Sequence, residues 1–129
     1  MGRYTELLGE YDAETTTYSA FAGGAGASPY TPKKDGTLVG LRVMVSRDAA
    51  TSLTDHVQIK LTCTTFNPNA IEVGATGTGL QTAPAFVTAP VDWPVNQPVK
   101  AGVPITLEGR NVTADTPITN CVLLYGIFQ

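Results

Sequence analysis

The chain has 129 residues, 43% of them hydrophobic, which is enough for one domain with a buried core that needs neither metal nor disulfide. Charged residues make up only 15% and the net charge is −3, so the basic stripe of a nucleic-acid binder is missing: Lys33-Lys34 is the only adjacent basic pair, and Asp35 follows it at once. No apolar run reaches the roughly eighteen residues of a membrane span, and MGRYTELLGEYDAE carries acids where a secretion signal has a basic segment, so a soluble chain without membrane contact is expected.

Residues 1–21 read as an N-terminal arm. Tyr4, Leu7, Leu8 and Tyr11 recur at helical spacing, and Glu6, Glu10, Asp12 and Glu14 lie between and after them. So short a helix does not repay its nucleation cost alone, and Gly9 weakens it further. The stripe therefore needs a partner surface, either the chain's own body, where it folds back as an edge strand, or another chain, for which its four apolar residues are candidate interface positions. Residues 22–36 (AGGAGASPYTPKKDG) have the Gly, Ala and Pro content of a flexible linker that ends in an Asp-Gly turn.

From residue 37 to 129 the pattern is that of an all-β body. Val39, Leu41, Val43 and Val45 alternate with Gly40, Arg42, Met44 and Ser46, and Val57, Ile59, Leu61 and Cys63 alternate with Gln58, Lys60, Thr62 and Thr64. Further strands are expected at 71–73, 85–87 and 103–108, with Ala101-Gly102 and Asp115-Thr116-Pro117 as turns. Residues 67–98 hold too much Pro for a central strand and are read as edge strand and long loops. The last apolar run, Ile118 to Phe128, has two apolar faces and is expected to be a central strand buried on both sides. The fold class that results is an antiparallel β-sandwich or jelly roll preceded by an arm.

Chemistry is harder to place. His56, the only histidine, stands beside Asp55, yet no nucleophile elbow or acid–base pair accompanies it, and it reads as a turn residue. One His and two Cys 58 positions apart lack the clustering of a zinc site, and no cofactor is expected. Cys63 and Cys121 fall on two strands read as buried, where two reduced core thiols are favoured over a bridge. Trp93, between Pro90 and Pro94, is either a half-buried core residue, an interface contact or a sugar-stacking platform. Asn111-Val112-Thr113 fits a glycosylation acceptor but is a match that a Thr-rich chain produces by chance.

The segment from Pro98 to Leu107 (PVKAGVPITL), followed by the closing apolar strand that ends at Phe128-Gln129, resembles the C-terminal half of small β-sandwich virion proteins, the capsid, decoration or cement proteins of phages and archaeal viruses. The resemblance implies a non-enzymatic virion protein that assembles symmetrically, as a homo-oligomer with a trimer as the expected count, and that contacts a major capsid protein or another virion protein through its arm and loops. The interface positions expected on that reading are Tyr4, Leu7, Leu8, Tyr11 and Trp93. A carbohydrate-binding or adhesion module using Trp93 and loop tyrosines is the alternative.

Overall fold

A computed structural model of the chain describes residues 2–13, 16–47, 57–73, 91–111 and 120–129. Among them every regular element is a strand: β1 (Tyr4–Ala13), β2 (Ser19–Ala20), β3 (Ala22–Gly23), β4 (Gly26–Ala27), β5 (Gly36–Arg47), β6 (Val57–Thr62), β7 (Ala70–Val73), β8 (Val91–Val99), β9 (Thr106–Asn111) and β10 (Asn120–Phe128). The strands build two four-stranded antiparallel sheets, ordered β1-β10-β5-β8 and β2-β9-β6-β7, with β3-β4 as a separate small hairpin.

The connectivity follows one rule. Taken in chain order, the eight sandwich strands pair first with last, second with seventh, third with sixth and fourth with fifth: β1 with β10, β2 with β9, β5 with β8, β6 with β7. One long antiparallel hairpin rolled into two sheets gives this pattern, which is the wrap of a jelly roll. The fold class read from alternation therefore stands, and the topology sharpens it.

The core lies between the sheets. Leu38, Leu41, Val43, Val122, Leu124 and Phe128 face inward from one sheet, and Ile59, Leu61, Val73 and Leu107 from the other. Side chains of this size contribute about 1.5 to 3 kcal/mol each when buried, before ordering entropy is subtracted.

The N-terminal segment differs from the expected arm. Tyr4 to Ala13 is a strand hydrogen-bonded along its length to β10, at the edge of the body's own sheet. Its apolar spacing imitates a helix because a β-bulge falls between Leu7 and Gly9. Before the bulge, Tyr4 and Leu8 keep strand alternation; the extra residue then resets the phase, so that Tyr11 points inward as well. Leu7 alone of the four is left outside. The inserted strand also explains why this segment is stable where an isolated helix would not be: Leu8 and Tyr11 are 3% exposed each, in the middle of the core.

The expected linker at 22–36 is likewise pinned. Phe21 N–H donates to Leu107 O, Ser28 N–H to Phe21 O, and Tyr30 and Ile105 exchange both backbone hydrogen bonds. Phe21, 1% exposed, plugs the core beside Tyr11 at a ring separation of 5.3 Å. Gly and Ala are needed here for close approach rather than for freedom.

The strand at the C-terminus is central, as its sequence indicates, with β1 on one side and β5 on the other. It is not buried on both faces. Val122, Leu124, Gly126 and Phe128 are buried, whereas Leu123, Tyr125 and Ile127 on the other face are only half-buried. Residues 67–98, read as edge strand and loops, yield β8, an edge strand in which Pro94 and Pro98 place their missing donors at a sheet margin. The Ala101-Gly102 turn is present, with Gly102 at φ +82° and Val103 N–H donating to Lys100 O. The strand expected at 85–87, the turn at 115–117, and His56 lie outside the described residues.

Candidate assembly surface

Antiparallel pairing places directly opposed residues on one face, so the register defines the outer surface of the β1-β10-β5-β8 sheet row by row. One row runs Thr5, Ile127, Gly40, Pro94; the next runs Leu7, Tyr125, Arg42, Asp92; a third runs Glu10, Leu123, Met44. Every one of these except Gly40 is half-buried or exposed. Among the described residues Leu7 is the exposed large hydrophobic residue, at 36%.

Among the described residues one ion pair sits on this face. Arg42 Nε donates to Asp92 Oδ1 at 2.8 Å and Nη2 to Oδ2 at 3.0 Å, a two-pronged contact between neighbouring strands. The hydrogen bonds from Arg42 hold the Asp92 carboxyl below the usual carboxylate range, and Asp92 in turn raises Arg42. Both groups are exposed, so the pair adds little stability while keeping the patch electrically balanced. Beside it a shallow notch of about 240 Å³ opens where Val39 bulges out of β5, lined in part by Arg3, Val39, Gly40, Pro94 and Ile127.

The outer face of the other sheet has a different character. Its rows read Ala20, Glu108, Lys60, Glu72, then Arg110 and Gln58, then Thr106, Thr62 and Ala70. Gln58 accepts from Arg110 Nε at 2.9 Å and donates to Glu72 Oε2 at 3.1 Å, and Lys60 Nζ lies 3.6 Å from Glu108. Tyr18 lies across this network, its ring centroid 4.5 Å from Lys60 Nζ and 4.7 Å from the Arg110 guanidinium. Burial, and next the Glu72 carboxylate, push the Tyr18 hydroxyl up to about 12. Among the described residues this face engages its own charges in a tight polar lattice.

Of the five positions expected to form an interface, the structure leaves one on the outside. Tyr4 stacks inward on Phe128 at 5.4 Å with Lys34 Nζ 4.4 Å from its ring, Leu8 is core, and Tyr11 stacks on Phe21 while its hydroxyl meets Ser19 Oγ at 2.8 Å. Trp93 sits opposite Leu41, half-buried against the core with its indole Nε1 buried, and the residue also lines the notch beside Pro94. Leu7 remains on the surface. Sequence reasoning missed Leu123, Tyr125 and Ile127 as surface residues because an apolar strand exposed on one side reads the same as one buried on both.

Tyr30 is also structural. Its hydroxyl donates to Glu6 Oε2 and its ring lies 6.0 Å from Phe128, and burial followed by the Glu6 carboxylate raises its pKa. Cys63 is a free, buried thiol with Sγ 3.1 Å from Thr65 Oγ1; the Cys121 side chain is outside the described set. Among the described residues no group of three or more His, Cys, Asp or Glu is placed to hold a metal ion.

No protein-family profile and no curated protein matches the chain in sequence. Among solved structures, a chain of the structure of infectious bursal disease virus, Gx strain, is similar over 98% of this chain and 32% of that one, at 10% sequence identity and a TM-score of 0.46. The chain thus spans about a third of the length of the viral chain it matches.

Proposed function

We propose that this protein is a structural protein of a virion, a small capsid subunit or a decoration or cement protein, that resides in the particle and acts by symmetric assembly with its own copies and a neighbouring virion protein rather than by catalysis. The observation that supports this most is the strand wrap: eight strands paired first to last through fourth to fifth form the jelly roll from which many viral capsid domains are built. Fold alone does not select a function, since lectins and cupins use the same wrap. The surface adds the second support. A chain with 15% charged residues and a half-exposed apolar sheet face suits a life packed against other subunits, because each charge removed from a contact is one that need not be paired there. Arg42 and Lys60 are paired with Asp92 and Glu108 on the two sheets, and Arg110 donates to Gln58, so these three cations are engaged within the chain.

This reading moves the contact away from a reaching arm, because Tyr4, Leu8 and Tyr11 are committed to the chain's own core. The test is mass spectrometry of density-purified virus particles from the source that encodes the chain. Peptides of this protein are expected in the particle fraction at a level comparable with the other structural proteins. Recovery only from the particle-free supernatant would overturn the reading.

A further inference from the structure

The two ends of the sandwich differ in what adjoins them. The register gathers the ends of β1, β5, β7 and β9 with the starts of β6, β8 and β10, and the undescribed segments 14–15, 48–56, 74–90 and 112–119 all leave the strands there. The opposite end is closed by residues 28–35, 63–69 and 100–105, with Arg3 and Gln129 beside them, and of the undescribed residues only Met1 adjoins it in sequence. We infer that this described end is a basic docking site for a short acidic segment of a partner protein. The inference deepens the assembly reading and rests on it only for the existence of a partner protein; its evidence is the charge that the fold collects here.

In the sequence Lys33-Lys34 is an isolated pair, and the fold adds Arg3 and Lys100 to it. Tyr4 pairs with Phe128, Phe128 with Leu38 and Gly36 with Val99. Arg3 therefore precedes the first strand of the order β1-β10-β5-β8, Lys33 and Lys34 lead into the third, and Lys100 follows the fourth. Three strand spacings of roughly 4.8 Å make this a row about 14 Å long. All four residues are exposed, and none of them forms an ion pair among the described residues. Lys34 Nζ lies 4.4 Å from the centre of the Tyr4 ring, and Arg3 Nε donates to the neutral Gln129 side chain at 3.3 Å.

Little negative charge answers them. Asp35, the acid within these segments, accepts from Ala101 N–H at 2.9 Å, and Glu6, the next acid along β1, accepts from the Tyr30 hydroxyl. Four of the chain's eight Lys and Arg but only one of its eleven Asp and Glu belong to this end, so the rest of the chain is net negative. The backbone beneath the row is already fixed: Gly102 N–H donates to Pro32 O at 2.9 Å, Val103 N–H to Lys100 O at 3.1 Å, and Thr37 and Gln129 exchange both backbone hydrogen bonds. A partner therefore has only the side chains left to order.

Length and chemistry select the occupant. Cations spread over about 14 Å exceed the reach of one small anion, whereas an extended segment of about five residues spans them. A long polyanion would run past the row onto the net negative remainder of the chain. No ring at this end is free to stack a base, because Tyr4 lies between Lys34 and Phe128 and Tyr30 is packed on Phe128 with its hydroxyl on Glu6. Carboxylates on a short peptide meet the lysines without either penalty.

Fluorescence anisotropy of a dye-labelled oligoglutamate of about eight residues, titrated with the full chain in about 20 mM salt, tests this. The expected result is saturable binding with a dissociation constant of about 10 to 500 µM, lost in about 500 mM salt. Lys33→Gln combined with Lys100→Gln should weaken it at least about fivefold, whereas Arg42→Gln combined with Lys60→Gln, which removes the same charge elsewhere, should change it less than about twofold. Circular dichroism on each variant confirms that the fold is retained. An oligothymidylate of about twenty nucleotides should bind more weakly than the oligoglutamate. No peptide binding at about 1 mM chain, equal weakening in the two double variants, or tighter binding of the oligothymidylate would overturn the inference. The two readings fail separately: peptide binding by a protein absent from particles removes the virion assignment alone, and a particle protein that ignores oligoglutamate removes this site alone.

Discussion

Two adjacent leucines separate the strand reading of the N-terminus from the arm reading. Leu8 is 3% exposed and packs at the heart of the core, where its Cδ2 lies 3.1 Å from the position a Cβ on Gly126 would take. Leu7, one residue earlier, is 36% exposed on the opposite face. Replacing Leu8 by Ala removes apolar contact and leaves a cavity that a strand hydrogen-bonded along its length to β10 closes only in part, a change that costs about 2 to 5 kcal/mol in well-packed sites. Taking about 3 kcal/mol, and roughly 3 to 5 °C per kcal/mol for a domain of this size, the melting temperature should fall by about 9 to 15 °C. Leu7→Ala should stay within about 0.5 kcal/mol, since it leaves no buried void. Scanning calorimetry of both variants at low concentration, with urea titration as a second measure, decides the matter. A Leu8→Ala shift below about 3 °C, or equal shifts for the two variants, would refute the bulged-strand account and restore an arm detached from the core.

Three further outcomes follow from single contacts. Gly109→Ala would set a Cβ 2.6 Å from Tyr11 Cδ2 and 2.8 Å from Cε2, against a ring fixed by Phe21 and Ser19, so a loss of about 1 to 3 kcal/mol is expected by chemical denaturation. Tyr18 and Tyr30 both have hydroxyl pKa values raised above the ordinary 10.0, so the folded chain keeps protons that the unfolded chain releases; their contribution is complete below pH 10 and declines as the pH rises, through about 12 for Tyr18. Urea midpoints measured from about pH 9 to about pH 11.5 should fall, and the fall should be shallower in Tyr30→Phe. Trp93 Nε1 is buried without a hydrogen-bond partner among the described residues, so Trp93→Phe sheds an unsatisfied donor as it loses ring area, and the net change should be under about 1 kcal/mol in equilibrium unfolding.

Alternation made the body legible. Leu41 and Val43, then Ile59 and Leu61, occupy the core positions their spacing assigns, because a half-buried strand imposes period two directly on the sequence. Prolines located β8 at a sheet margin for an equally local reason. The N-terminus was ambiguous where a local rule was broken: the bulge turns both Leu8 and Tyr11 inward with Tyr4, the outward Leu7 completes the 4, 7, 8, 11 spacing of a helix, and nothing in these four residues by themselves distinguishes helix from strand. The Gly- and Ala-rich stretch after it misleads similarly. Composition reports that small residues are required, and only the structure shows that the requirement is the close packing of a hairpin beside β1.

The pairing rule of the fold also explains why those two misreadings belong together. In a jelly-roll wrap the first strand closes against the last, so an N-terminus read as an arm leaves β10, a strand rich in apolar residues, with an open edge. An uncovered edge of that kind is a template for aggregation. The Phe21 plug and the β3-β4 hairpin then flank β1, Phe21 stacking on Tyr11 and Gly26 lying against Gly9, and are themselves tied to β9 by Phe21 N–H to Leu107 O and Ser28 Oγ accepting from Leu107 N–H. With the strand fixed in this way, the segment that was free to reach a neighbour is spent on closing the fold. What closure creates on the outside is one apolar face: Leu7 on the first strand and Leu123, Tyr125 and Ile127 on the last, brought side by side only because these two strands pair.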